Sequence, residues 1–340
     1  MTILLEESTS KDIQSKCHLS LAEISNELKN YETALSHLEA GARLSKNRAQ
    51  KGVIYGRLAE MAFNKERFDL AQEAYENVIA NSLSKEKIEL AHLQILKILR
   101  VREQYRSATR KIKGMLTDDK FNGIAGNLEL ELVQLYKVQG NVTEIETRLE
   151  SIVSDYQRTL VSAEAYYMLG NYSIEQDWDM EDALKQYSSV VKENKQSLYA
   201  QPAQVRIKEI NTYQQSKLDL ESWSLRIAES DTIADFHFTE DEQNELAKNL
   251  YSLTELEAFH FDRSDTGLVY LDLLIQYAYQ SKLFPKALYA KSVILEDKGE
   301  LSLSKLLKQR IVNEFPKTDF ALAIINTDKS YKIMTSTSDE

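Results

Sequence analysis

Glycine and proline are nearly missing from this chain. There are 10 Gly and 3 Pro in 340 residues, where average usage would supply about 7% and about 5%. Sandwiches and barrels need both residues at their turns, and nucleotide-binding folds need glycine at their phosphate loops. Those architectures are excluded, and a nearly all-helical chain joined by short turns is left. The single cysteine, Cys17, excludes an internal disulfide and any multi-cysteine zinc site. No apolar run is long enough to span a bilayer. The N-terminal MTILLEESTSKD has a short apolar run followed by acids and does not read as a signal peptide. The chain as given is therefore expected in the cytoplasm, or in the periplasm or cell envelope if an export segment has been removed.

What is present is charge, unevenly placed. The formal net charge is −11, which argues against a nucleic-acid binder. Residues 219–272 carry 14 acids and 3 bases, so this stretch holds the whole net charge. Residues 97–120 carry 8 bases against 3 acids. Such segments are either solvated helix faces or two patches of opposite sign that choose partners or pack against each other.

A repeat runs through the chain. NYETALSHLEAG (30–41), RFDLAQEAYENV (67–78), QYRSATRKIKGM (104–115) and NVTEIETRLESI (141–152) align on one pattern. The small or apolar residues Ala34, Ala71, Ala108 and Ile145 follow one another at 37-residue steps, and Ala183 follows after 38. Leu38, Tyr75, Ile112, Leu149 and Tyr187 lie four further on. Each such segment is preceded by a second stripe at helical spacing, for example Tyr55, Leu58, Ala59 and Ala62, or Tyr166, Leu169, Gly170 and Ser173. Each unit is thus a helix, a tight polar turn and a second helix. One such pair cannot bury its own apolar faces, so neighbours must stack.

The order aromatic, Leu-Gly, aromatic, Ala, aromatic resembles that of tetratricopeptide repeats, best in YYMLGNY (166–172) followed by DALKQY (182–187). The copies at 89–118 and 126–157 depart from the family's pattern, with Leu96 and Val133 where a small residue marks the helix crossing. The resemblance implies an all-α, right-handed superhelical α-solenoid of stacked helix–turn–helix repeats. It divides the chain into an N-terminal tail (1–12), five repeats of about 37 residues (13–195), a bridging helix and connection (196–240), two further helix pairs (241–326) and a polar tail (327–340). Within the bridge, 198–215 reads as a helix with Pro202 in its first turn, and 216–240 as a longer connection or an irregular helix. Thr239 and Glu242 have the spacing of a capping box. NEFPKTDFA (313–321) is similar to the inter-repeat turn of bacterial envelope tetratricopeptide proteins of the barrel-assembly and cell-division types.

Catalytic signatures are missing: there is no G-x-x-x-x-G-K-[ST], H-E-x-x-H, C-x-x-C or G-x-S-x-G. GIAG (123–126) reads as a turn opening a helix. His18 and His92 share a repeat phase and read as partly buried core histidines. His237, beside an acidic run, is a weak metal candidate. Adjacent helical residues point about 100° apart, so Cys17 and His18 do not form a nucleophile pair. The tyrosines at repeat core positions read as packing and not as a platform for bases. No cofactor and no metal is expected.

The resemblance places the useful surface on the first helix of each pair. Phase by phase it gives Arg57, Glu60 and Asn64; Lys97 and Arg100; Gln134 and Lys137; and Tyr167, Asn171 and Glu175. The family's clamp for chaperone tails needs Lys and Asn where this chain has Leu19 and Glu23, so that ligand is not expected. The expected function is a non-catalytic scaffold binding a peptide or partner protein, with Lys97, Arg100 and Lys137 favouring an acidic segment in the middle of the groove. On that expectation, Lys97→Glu with Arg100→Glu weakens capture without lowering thermal stability. The alternatives are an outer-membrane-assembly or cell-envelope protein, and a peptide-sensing regulator.

Overall fold

A computed structural model describes Leu5, residues 8–232 and residues 238–336. His237 lies outside the described residues. The described chain is helical throughout: α1 (Lys11–Glu27), α2 (Tyr31–Leu44), α3 (Arg48–Asn64), α4 (Phe68–Asn81), α5 (Lys85–Val101), α6 (Tyr105–Leu116), α7 (Ala125–Val138), α8 (Val142–Asp155), α9 (Leu160–Tyr172), α10 (Met180–Glu193), α11 (Ala200–Thr232), α12 (Glu240–Glu255), α13 (Ser264–Tyr277), α14 (Phe284–Asp297), α15 (Leu301–Glu314) and α16 (Asp319–Ser336). This is the all-α helical-repeat class that the sequence implies. The chain divides into two compact units, Met1–Leu169 and Gly170–Glu340.

In the first unit, α1 packs on α2, α3 on α4, α5 on α6 and α7 on α8, and each hairpin stacks on the next. In the second, consecutive helices from α10 to α16 pack in chain order. The repeat positions form the core. Ala34, Ala71, Ala108 and Ala183 are fully buried, and Leu38, Tyr75, Ile112, Leu149 and Tyr187 are nearly so. Helix starts are closed by side chains: Asn47 accepts from the Gln50 amide at 3.0 Å and Asp179 from the Asp182 amide at 2.9 Å. Thr239 and Glu242 make the reciprocal capping box that opens α12.

The corners explain the repeat length. Lys29, Glu66, Glu103 and Gly140 all have left-handed backbone, with φ of 60°, 58°, 58° and 69°, and they stand 37 residues apart. The residue after each corner donates its amide to a carbonyl five residues back: Asn30 to Ser25 at 2.8 Å, Arg67 to Ala62 at 2.8 Å, Gln104 to Leu99 at 2.8 Å and Asn141 to Tyr136 at 3.0 Å. This closes the helix C-terminus by satisfying a carbonyl that would otherwise lack a partner. The next corner within a helix pair, Trp178, comes 38 residues after Gly140. Its helix ends in a π-turn, Ser173–Asp177, and Asp179 reaches six back to the Ser173 carbonyl at 2.9 Å. The extra residue in the fifth copy is therefore absorbed by one widened turn. A second π-turn, Leu256–His260, precedes corner Asp262, where Arg263 again reaches six back, to Glu257 at 2.7 Å.

The structure departs from the sequence-based expectation in two helix ends. Residues 216–232, expected as a connection or irregular helix, continue α11 without a break. Likewise α16 runs to Ser336, into the segment expected as a polar tail from 327. The cause is the same shortage noted at the outset: neither 203–232 nor 317–336 contains a glycine or proline to stop a helix.

Leu96 and Val133, which break the small-residue pattern, are fully buried without disturbing the stack. The opposing position compensates. Where the second helix carries Tyr187, the first has Gly170, and a Cβ added at Gly170 would lie 2.6 Å from the Tyr187 ring. Where the first helix has Leu96 or Val133, the residue sixteen positions on is the smaller Ile112 or Leu149. The larger residue on one helix is met by a smaller one on the other, as close packing demands.

Candidate functional site

Arg57, Glu60 and Asn64 come together. They project from α3 into a groove of roughly 440 Å³ that α1 lines from the other side with Ala22, Glu23 and Asn26. Leu38, Met61 and Lys65 complete it. The helices position these side chains by period alone, since 57, 60, 61 and 64 fall on one face. Arg57 donates to Glu23 at 2.6 Å across the groove, and both side chains are more than half exposed. Glu60 acts on the core behind it: burial, with the Glu60 charge, pushes the Tyr75 hydroxyl up to about 12. The groove therefore offers a floor of Ala22, Leu38 and Met61, a cross-groove ion pair, and the two carboxamides Asn26 and Asn64. A carboxamide both donates and accepts, which suits an extended peptide backbone.

The remaining expected residues do not extend this groove as a single basic stretch. Arg100 Nε donates to Glu131 Oε1 at 2.7 Å, and their side chains are only 25% and 7% exposed. Arg100 is thus the counter-ion of a nearly buried carboxylate on α7. The expectation that Lys97→Glu with Arg100→Glu leaves stability unchanged is corrected by this pair: reversing Arg100 would set two carboxylates against each other out of water. Sequence spacing could not reveal it, because Glu131 stands in an otherwise apolar buried run of α7, with Leu128, Leu130, Leu132 and Leu135. Gln134 Nε2 points at Met168 Sδ, 3.7 Å away. Lys97, Lys137 and Tyr167 line neither the groove above nor the cavity described next.

In the second unit, Asn171 and Glu175 line a smaller cavity of about 150 Å³ with Tyr187, Arg206, His260 and Asp262. Tyr187 donates to Asn171 Oδ1 at 2.7 Å, so this carboxamide oxygen already serves the repeat packing. Arg206 and His260 Nδ1 both engage Glu209, at 3.0 and 2.7 Å. Behind this wall Glu257 is fully buried; it accepts from the Tyr213 hydroxyl at 2.8 Å and faces Arg263 at 3.4 Å. Burial holds the Glu257 carboxyl above the usual range. Reasoning from repeat phase missed Glu209 and Glu257, since both belong to the stretch where the repeat pattern is weakest.

His18, His37 and His92 are partly buried in the helix packing. His18 and His37 are half-buried and meet through their Nδ1 atoms at 3.0 Å. His92 is half-buried with its ring edge-on to Phe121 at 5.0 Å. Among the described residues no group of three or more His, Cys, Asp or Glu could hold a metal ion, and no helix is long and apolar enough to cross a membrane.

No protein-family model and no curated protein matches the chain. Solved structures resemble it at low identity. YrrB, a TPR protein with an unusual peptide-binding site, matches at 15% identity and TM-score 0.35, over 60% of this chain and 96% of that one. A tetratricopeptide repeat protein from Parabacteroides merdae matches at 11% and 0.38, over 82% and 98%. The TPR domain of P58(IPK) matches at 10% and 0.27, over 96% and 100%. All three are tetratricopeptide-repeat proteins, the repeat type that this sequence resembles.

Proposed function

We propose that this protein is a non-catalytic interaction scaffold that holds an extended peptide segment of a partner protein between α1 and α3. The observation that carries this reading is the groove itself. Two neighbouring first helices leave a trough with an apolar floor and paired carboxamides, and its charges are balanced by the Arg57–Glu23 bridge. A balanced trough favours a peptide of mixed character, with one apolar side chain set on Leu38 and Met61 and its backbone bonded to Asn26 and Asn64. An acidic segment in the middle of the array is not part of this proposal, because Arg100 already serves Glu131.

The test is selection of random peptides on the full chain, followed by titration of the best binder. Replacing Asn26→Ala and Asn64→Ala together, both on exposed groove positions, is expected to weaken that binder by at least about tenfold, or about 1.4 kcal/mol. Unchanged affinity in the double variant, with its helical circular dichroism intact, would place the binding elsewhere and sink the reading.

A further inference from the structure

Almost every arginine of this chain is engaged. Arg43, Arg57, Arg67, Arg100, Arg102, Arg148, Arg206, Arg226, Arg263 and Arg310 form ion pairs, Arg48 donates to a backbone carbonyl, and Arg158 also has a partner. Arg106 and Arg110 are the exceptions: among the described residues they have no hydrogen bond, ion pair or ring contact. Both stand on α6, one turn apart and exposed, and exposed Lys113 continues the same line. The second helices of the neighbouring repeats carry acids at exposed positions instead, with Asp69, Glu73 and Glu76 on α4 and Glu144, Glu146 and Glu150 on α8. The α6 face is therefore a positive line in a series of second helices whose exposed positions are otherwise rich in acids. A partner carrying one line of acids is accepted in register and repelled when displaced.

The chain carries such a line itself. On the C-terminal half of α11, Glu221 and Glu229 are exposed, and their carboxylates have no partner among the described residues. Between them on the same face stands Leu225, 77% exposed, and one turn before them Leu218, 59% exposed. Arg106 to Lys113 spans about 10.5 Å along a helix and Glu221 to Glu229 about 12 Å, at about 1.5 Å per residue. Arginine and lysine stems are apolar and can cover a leucine while their heads pair with the flanking carboxylates. The net charge of −11 disfavours nucleic acid and anionic membrane as occupants of the band.

We propose that the α6 face of one copy docks on the α11 face of a second copy. The contact joins two different patches, so it is heterologous and builds rings or open chains. It uses neither the groove between α1 and α3 nor any residue placed in it.

The test is sedimentation velocity of the full chain across a concentration series, at about 10 mM and about 1 M salt, where the screening length falls from about 30 Å to about 3 Å. Concentration-dependent association at low salt and its loss at high salt are expected. Arg106→Glu with Arg110→Glu, and separately Glu221→Arg with Glu229→Arg, should each weaken association by at least about tenfold. Mixing the two double variants should restore it between them. All four sites are exposed, and circular dichroism checks that the variants fold. A chain that stays monomeric at low salt, or associates equally well with either reversal, or fails to recover on mixing, would overturn the proposal.

Discussion

His18 on α1 and His37 on α2 face each other through Nδ1 atoms 3.0 Å apart. One ring must donate and the other accept, so the contact requires at least one neutral imidazole. Burial, and then the neighbouring His37, lower the His18 value from 6.5. A depressed folded value means the unfolded chain binds the proton more readily. The stabilising contribution is therefore complete above about pH 6.5 and is lost as the pH falls through the folded value. Urea unfolding between about pH 8 and about pH 5 should show stability declining on the acid side. Replacing His37→Gln, which keeps a hydrogen-bonding group but removes the neighbouring imidazole, should reduce that decline without abolishing it, because burial, the larger cause, remains. An equally steep profile in the variant would show that other groups cause it.

Gly170 and Tyr187 make a close contact within the second unit. A methyl group at Gly170 would sit 2.6–2.8 Å from three ring atoms of Tyr187, and Tyr187 is nearly fully buried, so the ring has little room to withdraw. Gly170→Ala is expected to cost about 1–3 kcal/mol by overpacking. Tyr187→Leu alone should also destabilise, through lost volume and the lost bond to Asn171. The two together should cost less than their sum, since the pair would then approach the combination that Val133 and Leu149 already use. Chemical unfolding of all four proteins measures the coupling; simple additivity would refute this account of the crossing.

Lys97 and Arg100 separate a surface charge from a structural one. Lys97 is exposed, whereas Arg100 holds Glu131. Lys97→Glu should leave the midpoint of unfolding almost unchanged. Arg100→Glu should lower stability by about 3 kcal/mol or more, because a nearly buried carboxylate loses its partner and gains a like charge. Adding Glu131→Gln to Arg100→Glu should recover part of the loss, as read by thermal or urea unfolding. Equal effects at positions 97 and 100 would contradict the assignment.

The fold was legible because its signal is redundant. Ala34, Ala71 and Ala108 recur in phase, and every one of them is fully buried. The capping box at Thr239 was legible for a similar reason, since both of its partners are close in sequence. The candidate site was legible only in part. Arg57, Glu60 and Asn64 share one helix face, and spacing alone brings them together. Glu131, by contrast, binds Arg100 from a different repeat, and Glu209 binds His260 from 51 residues away. Such pairs depend on how one hairpin lies on the next, which periodicity does not encode. The unbroken course of α11 was not legible because its polar, serine-rich sequence reads equally as a connection or an irregular helix, while no residue in it forbids a regular one.

The π-turn at Ser173–Asp177 bears on how such a chain can change in length. An inserted residue in a helix ordinarily rotates everything after it by about 100° and would turn the buried face of α10 outward. Here the widened turn takes up the surplus and Trp178 resumes the left-handed corner. Ala183, Tyr187 and Val190 remain buried although they are one position out of step with the copies before them. A helix end of this kind works as an expansion joint: it tolerates a single-codon insertion that a mid-helix site would not, and a search that assumes one fixed period loses phase there while the molecule does not.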